Sequence, residues 1–80
     1  MKNLEEMYWY VLAEANRAER KHSGDSFMLS PEFPVDKFLS ALVEEVGEAA
    51  TEVYEDGDDD DLFSELVQVA FVALAWASRL

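Results

Sequence analysis

The sequence predicts an all-α fold, a three-helix chain that completes itself as an oligomeric helical bundle. Three observations carry this reading. Apolar residues recur with helical spacing and never with strand alternation. Strong turn signals cluster in two places, from His22 to Pro34 and around Gly57. Half of the 80 residues are hydrophobic, more than a lone small domain readily hides.

The first helix is expected from about Asn3 to Lys21, where Leu4, Met7, Tyr8, Val11, Leu12 and Ala15 form one apolar stripe at i, i+3, i+4, i+7 spacing. His22-Ser23-Gly24-Asp25 reads as its stop. Ser26 to Phe33 reads as a loop, because Pro31 and Pro34 are tolerated only outside a helix or in its first turn. The second helix is expected from about Pro34 to Glu55, with Leu39, Leu42, Val43, Val46, Ala50 and Val53 as its apolar face. Gly57 ends it, and the run Asp58 to Asp61 caps the next helix and places negative charge at its N-terminus.

The third helix is expected from about Asp59 to Ser78. From Leu66 onward it is apolar on every side except at Gln68. Such a helix has to be surrounded, and two partner helices from one chain are too few. The chain reads as a single domain, residues 1–80, with no cysteine for a disulfide or a thiolate metal site. Self-association into a dimer or tetramer is the remaining source of stability.

Eighteen acidic against six basic residues give a net charge of −12. That balance argues against nucleic-acid polymers and anionic membrane surfaces as partners. The start Met-Lys-Asn-Leu-Glu-Glu has no apolar signal core, and the longest apolar run, Leu66 to Ala77, is too short to span a bilayer. A cytoplasmic location is expected. A small phosphate-bearing molecule remains compatible, provided a cation bridges the like charges.

Glu44, Glu45, Glu48, Glu52 and Glu55 fall within about 100° of one another around the second helix, opposite its apolar stripe. On the third helix Asp61, Glu65, Gln68 and Val72 form one line, with Glu65 and Gln68 a turn apart. Only Lys37 lies between Lys21 and Arg79, so salt bridges cannot pair these acids. A hard divalent ion can, since Mg²⁺ takes oxygen ligands and retains waters and phosphates in its shell. The pairs Glu45/Glu48 and Glu65/Gln68 offer four oxygens to one small volume. The same spacing also suits a solvated acidic face. Gly47 favours the ligand reading, because a mid-helix glycine costs about 1 kcal/mol and suggests a close approach to the backbone.

The stretch Leu42-Val43-Glu44-Glu45-Val46-Gly47-Glu48-Ala49, an acidic turn, and then Glu65-Leu66-Val67-Gln68-Val69-Ala70 resembles the MazG-like all-alpha nucleoside triphosphate pyrophosphohydrolases. That family carries Glu-Glu-x-x-Glu on one helix and Glu-x-x-Asp on the next. Asn16 to His22 is similar to the first helix of its small members. The resemblance implies cleavage between the α and β phosphates of a nucleotide, releasing monophosphate and pyrophosphate. It implies Mg²⁺, or Mn²⁺, held by Glu45, Glu48 and Glu65, with Gln68 as a fourth oxygen donor. Glu45 or Glu44 would then activate or orient the attacking water. It also implies dimers or tetramers of helical bundles. Two features depart from the family pattern. Gln68 stands where the pattern has Asp, which removes a negative charge from the site. The chain also reads as a minimal member, ending at Leu80 directly after the third helix.

Trp9, Ala13, Asn16 and Arg20 make a second line on the first helix, suited to stacking on a base and holding a phosphate, or to an oligomer interface. Arg17 and Lys21 are phosphate-contact candidates, or else surface charges complementing a helix C-terminus. Trp76 continues the Glu65 line and reads as buried packing or a pocket floor, and His22 as a terminal-turn residue. The leading expectation is a Mg²⁺-dependent nucleotide pyrophosphohydrolase. The competing one is a non-catalytic protein of the same fold that sequesters a nucleotide, favoured by Gln68 and the short chain. A purely structural acidic oligomer comes third.

Overall fold

The computed structural model describes residues 1–22, 24–55 and 57–80, and Ser23 of the expected helix stop lies outside them. Among these residues there are three α-helices and no strand: α1 Leu4–Lys21, α2 Phe38–Tyr54 and α3 Asp59–Ala77. Two 3-10 turns, Gly24–Ser26 and Val35–Lys37, punctuate the α1–α2 connection. The second accounts for the expected start of α2 at Pro34. Proline has no N–H, and the turn begins with the Lys37 N–H donating to the Pro34 carbonyl at 3.1 Å, so the α-helical ladder starts only at Phe38.

The caps explain why the helices begin where they do. Asn3 Oδ1 accepts the Glu6 N–H at 2.9 Å, and the Asn3 N–H donates to Glu6 Oε1 at 3.5 Å, a reciprocal box. The Asp58 carboxylate accepts the Asp61 N–H at 2.8 Å and opens α3. Asp59, Asp60 and Asp61 then place negative charge on its first turn, where the helix dipole favours it. After α1 the chain turns at Gly24, whose φ of 58° lies in the left-handed region that glycine adopts without steric cost.

α3 is the central helix and packs against both α1 and α2. Its Val67, Phe71, Val72 and Ala75 are buried. One apolar cluster joins Ala18 of α1 to Phe71 and Val72, with Val11, Ala15, Phe27, Met28, Ala41 and Leu42 packed around it. A second joins Phe33, Phe38 and Ala75, with Met28 and Trp76 against them. Trp76 stacks on Phe38 with ring centroids 6.2 Å apart, so it serves packing and not a pocket floor. The Arg79 guanidinium fixes the connecting loop, donating to the carbonyls of Ser30, Pro31 and Phe33 at 3.4, 3.2 and 3.1 Å.

The apolar faces do not all find cover within the chain. On α2 the buried residues are Phe38 and Ala49, whereas Leu39, Val43, Val46 and Val53 are exposed. On α1 Leu4 and Tyr8 are exposed, and on α3 Leu66 and Leu74. Of the α2 stripe expected from periodicity, Leu42 packs against the core and Ala50 is half-buried, whereas Leu39, Val43, Val46 and Val53 lie on an uncovered flank. No helix among the described residues is long and apolar enough to cross a membrane.

Candidate metal centre and adjoining cavity

α2 and α3 run antiparallel, and their contact brings Glu45, Glu48 and Glu65 together. One carboxylate oxygen from each lies within 4.8 Å of the others. Glu45 and Glu48 are three residues apart on one face of α2, and Glu65 meets them from the second turn of α3. Glu45 and Glu65 are half-buried and Glu48 is exposed, so the cluster is open on one side. Glu45 Oε2 and Glu65 Oε2 are each shut off from solvent without a hydrogen-bond partner. A buried polar atom left in this way costs about 1–3 kcal/mol, and more when charged.

The electrostatics follow from that crowding. Burial first, then the charges of Glu48 and Glu65, pushes the Glu45 carboxyl up to about 7. Burial, followed by Glu48, holds Glu65 above the usual carboxylate range. The ion pair found among the described residues, Arg17 with Glu14, lies beside the cluster and does not neutralise it. Arg17 Nε donates to Glu14 Oε2 at 2.9 Å and Nη2 to Glu14 Oε1 at 2.6 Å. That hydrogen-bonded pairing is the main reason the Arg17 pKa is raised, and Glu45 adds to it.

A cavity of about 230 Å³ adjoins the carboxylates. Its apolar walls are Ala18, Phe27, Met28, Phe71 and Val72. Its polar rim is Glu14, Arg17, His22, Ser26, Glu45 and Gln68. A second, more open recess of about 460 Å³ shares Glu14, Arg17 and Gln68 with it and extends to Tyr10, Ser64 and Phe63. Apolar walls with a few converging polar groups are the usual make-up of a small-molecule site.

The candidate residues divide accordingly. Glu45, Glu48 and Glu65 meet, and Arg17 and Gln68 line the cavity next to them. Glu44 is exposed and acts on Glu45 through its charge. Arg20 and Lys21 are exposed and line neither recess. Trp9 is 61% exposed and rests edge-on against Tyr8, with ring centroids 5.9 Å apart, away from both recesses. Glu14, Phe27, Met28 and the rim position of His22 carry no spacing signal. Phe27 and Met28 sit in the connecting loop, where an adjacent apolar pair is the only hint.

At Gly47 the expected close approach is not made by any group of this chain. A Cβ built there meets nothing within 4 Å, so no group of this chain demands glycine. Gly47→Ala is therefore expected to stabilise α2 by about 1 kcal/mol, raising the melting temperature by about 4–8 °C. A lower melting temperature in a thermal scan would show that something outside the chain approaches the backbone there.

Comparison with protein-family models, with curated proteins and with solved structures returns no match for this chain. The functional reading rests on the residues themselves.

Proposed function

We propose that this chain is a Mg²⁺-dependent nucleoside triphosphate pyrophosphohydrolase of the MazG-like kind. The observation that carries the proposal is the pair of buried, unpartnered oxygens, Glu45 Oε2 and Glu65 Oε2, in a three-carboxylate cluster beside an apolar-walled cavity. Oxygen donors without protein partners suit a hard divalent cation, so the residues fit the ion. Glu45, Glu48 and Glu65 would hold it, with Gln68 as a further neutral donor. When bound, Mg²⁺ supplies positive charge that offsets both the carboxylates and the phosphates of the ligand.

The chain's own groups supply the rest. The walls formed by Phe27, Met28, Phe71 and Val72 exclude water from an aromatic base, and Arg17 faces the phosphates from the rim. With a cation offsetting the repulsion that raises its pKa in the metal-free chain, Glu45 would be ionised at neutral pH, and its carboxylate would take a proton from the attacking water. The oxygen of that water bonds to a phosphorus of the α–β bridge. The bridging P–O bond breaks, leaving nucleoside monophosphate and pyrophosphate. Glu44 lies at the edge of the cluster, where it would orient the water.

A second reading, sequestration of a nucleotide without cleavage, is favoured by the neutral amide at position 68 and by the engagement of Arg17 with Glu14. Incubation with a nucleotide panel and Mg²⁺, followed by chromatography of products and retained ligand, separates the two. The hydrolase releases pyrophosphate, Gln68→Asp preserves or increases that release, and Gln68→Ala reduces it. Retention without cleavage by the wild type supports sequestration. Neither retention nor cleavage leaves an acidic helical oligomer with no nucleotide role.

A further inference from the structure

We infer that the groove between α1 and α3 takes a dinucleoside polyphosphate, with one nucleoside in the apolar cavity and the other in the second recess. The inference rests on the nucleotide hydrolysis proposed above and specifies what the substrate carries beyond its phosphates. A nucleoside triphosphate fills the cavity and its mouth alone.

Helical spacing lays out the groove. On α1, Tyr10, Ala13, Glu14 and Arg17 follow i, i+3, i+4, i+7 spacing and share one face. On α3, Phe63, Val67 and Phe71 recur every four residues, with Ser64 and Gln68 beside them. Ala18 packs with Phe71 at one end of the groove. Tyr10 meets Phe63 at the other, with ring centroids 4.9 Å apart and an interplanar angle of 85°. Tyr10 to Ala18 and Phe63 to Phe71 each span eight residues, about 12 Å of helix. Glu14, Arg17 and Gln68 line both the cavity and the recess, so the two meet at a polar neck.

The walls of the recess select its occupant. Beyond the neck they are Tyr10, Ala13, Phe63, Ser64 and Val67, with Val67 buried and Phe63 half-buried. None of these carries a charge. Arg17 and Glu14, the charged residues among the described walls, are hydrogen-bonded to each other and offset one another. The Lys2 ammonium lies over the Phe63 ring at 4.7 Å, but it lines the adjoining recess with Asp59 and Asp60 and not this one. A free triphosphate tail would bring several negative charges into a recess without a cation to hold them, on a chain of net charge −12. A second nucleoside brings a flat aromatic base and an uncharged sugar instead. The edge-to-face pair of Tyr10 and Phe63 is suited to stack that base, and the Ser64 hydroxyl to meet the sugar. The recess volume of about 460 Å³ lies within the range of about 300–1,000 Å³ usual for small-molecule sites.

The polyphosphate bridge then passes Arg17 and Gln68 at the neck, with Glu45 of the carboxylate cluster alongside. The water oxygen bonds to the phosphorus of the nucleotide held in the cavity, and its proton passes to the Glu45 carboxylate. The bridging P–O bond breaks, and its electron pair stays with the departing phosphate. The products are a nucleoside monophosphate and a nucleoside polyphosphate with one phosphate fewer than the bridge held.

The test compares the wild type, Phe63→Leu and Tyr10→Ala for binding of dinucleoside tetraphosphates and of nucleoside triphosphates, each with the four common bases. Calorimetry with Ca²⁺ as the cation reads affinity, and chromatography after incubation with Mg²⁺ reads the products. The wild type should bind a tetraphosphate about tenfold or more tighter than the triphosphate of the same base, since one stacked base contributes on that order. Its cleavage should yield nucleoside monophosphate and nucleoside triphosphate. Each variant should lower the preference for the tetraphosphate by about tenfold. Tyr10 is 43% exposed, so Tyr10→Ala keeps the test open even where Phe63→Leu disturbs folding. A wild type that binds the triphosphate as tightly as the tetraphosphate overturns the inference and leaves pyrophosphate release standing. So does a preference that neither variant reduces. A wild type that binds neither ligand overturns both the inference and the reading beneath it.

Discussion

Replacing Glu45 by Gln should abolish the stabilisation of this protein by Mg²⁺ and stop pyrophosphate release. In the wild type at pH 8, saturation at about 100 times the dissociation constant adds about 2.7 kcal/mol, a rise in melting temperature on the order of 10 °C. The same substitution should raise metal-free stability at pH 8, because it removes a carboxylate that burial and Glu48 oppose. The pH dependence gives a second signature. The Glu45 pKa is about 7 in the folded chain and about 4.5 when unfolded, so between these values the folded state holds more protons. Metal-free stability should therefore fall as pH rises from about 4.5 to about 7, and Glu45→Gln should flatten that part of the curve. Protons and cation compete for the same oxygens, so the Mg²⁺ effect should be largest above pH 7 and vanish near pH 5. Thermal melts of both proteins across pH 5–8, with and without Mg²⁺, check this. An undiminished Mg²⁺ response in Glu45→Gln would remove Glu45 from the site.

Phe38→Ala should be the most destabilising single substitution, costing about 3–5 kcal/mol, a large share of what a domain of this size possesses. Phe38 has no exposed surface. It contacts Phe33 with ring centroids 4.8 Å apart, stacks on Trp76, and lies beneath the Arg79 guanidinium. The consequences reach the cavity. Met28 packs against both apolar clusters and lines the cavity wall, so a void at Phe38 loosens the loop that carries it. Urea denaturation should show the midpoint falling sharply or the transition losing cooperativity. A loss below about 1 kcal/mol would mean that the second cluster contributes little to the fold.

The helices are legible in the sequence because caps and periodicity are local. Asn3 and Asp58 mark helix starts through side chains that accept nearby backbone N–H groups, and Gly57 marks an end where its N–H donates to the Glu52 carbonyl. The meeting of Glu45, Glu48 and Glu65 is legible for a related reason. The i, i+3 pair lies on one face of α2 and Glu65 at the polar end of an otherwise apolar helix, so packing α2 on α3 brings the three to one edge of the contact. Periodicity identifies an apolar stripe, however, and not what covers it. Leu39, Val43 and Val46 read as core and lie bare, whereas Leu42 of the same stripe packs inward with Phe38 and Ala49. The same limit applies on α1. Trp9, Arg20 and Lys21 suit a nucleotide chemically, yet the rotation of α1 on α3 turns Arg17 and Glu14 toward the cavity instead. That rotation is set by tertiary packing of Ala18 against Phe71 and Val72, which no local spacing encodes. Gly47 reads as a site of close approach and faces open space.

The central claim is that this carboxylate cluster holds a divalent cation on which a nucleoside phosphate is bound. Titration with Mn²⁺, followed by the electron paramagnetic resonance signal of the free ion, tests it most directly. The account predicts a saturable class of bound Mn²⁺ at pH 8 that Mg²⁺ displaces and a nucleoside triphosphate tightens. In the Glu45→Gln/Glu65→Gln double variant, which relieves repulsion and should remain folded, that class disappears. A wild-type chain that leaves millimolar Mn²⁺ free, or a double variant that binds as well as wild type, would contradict it.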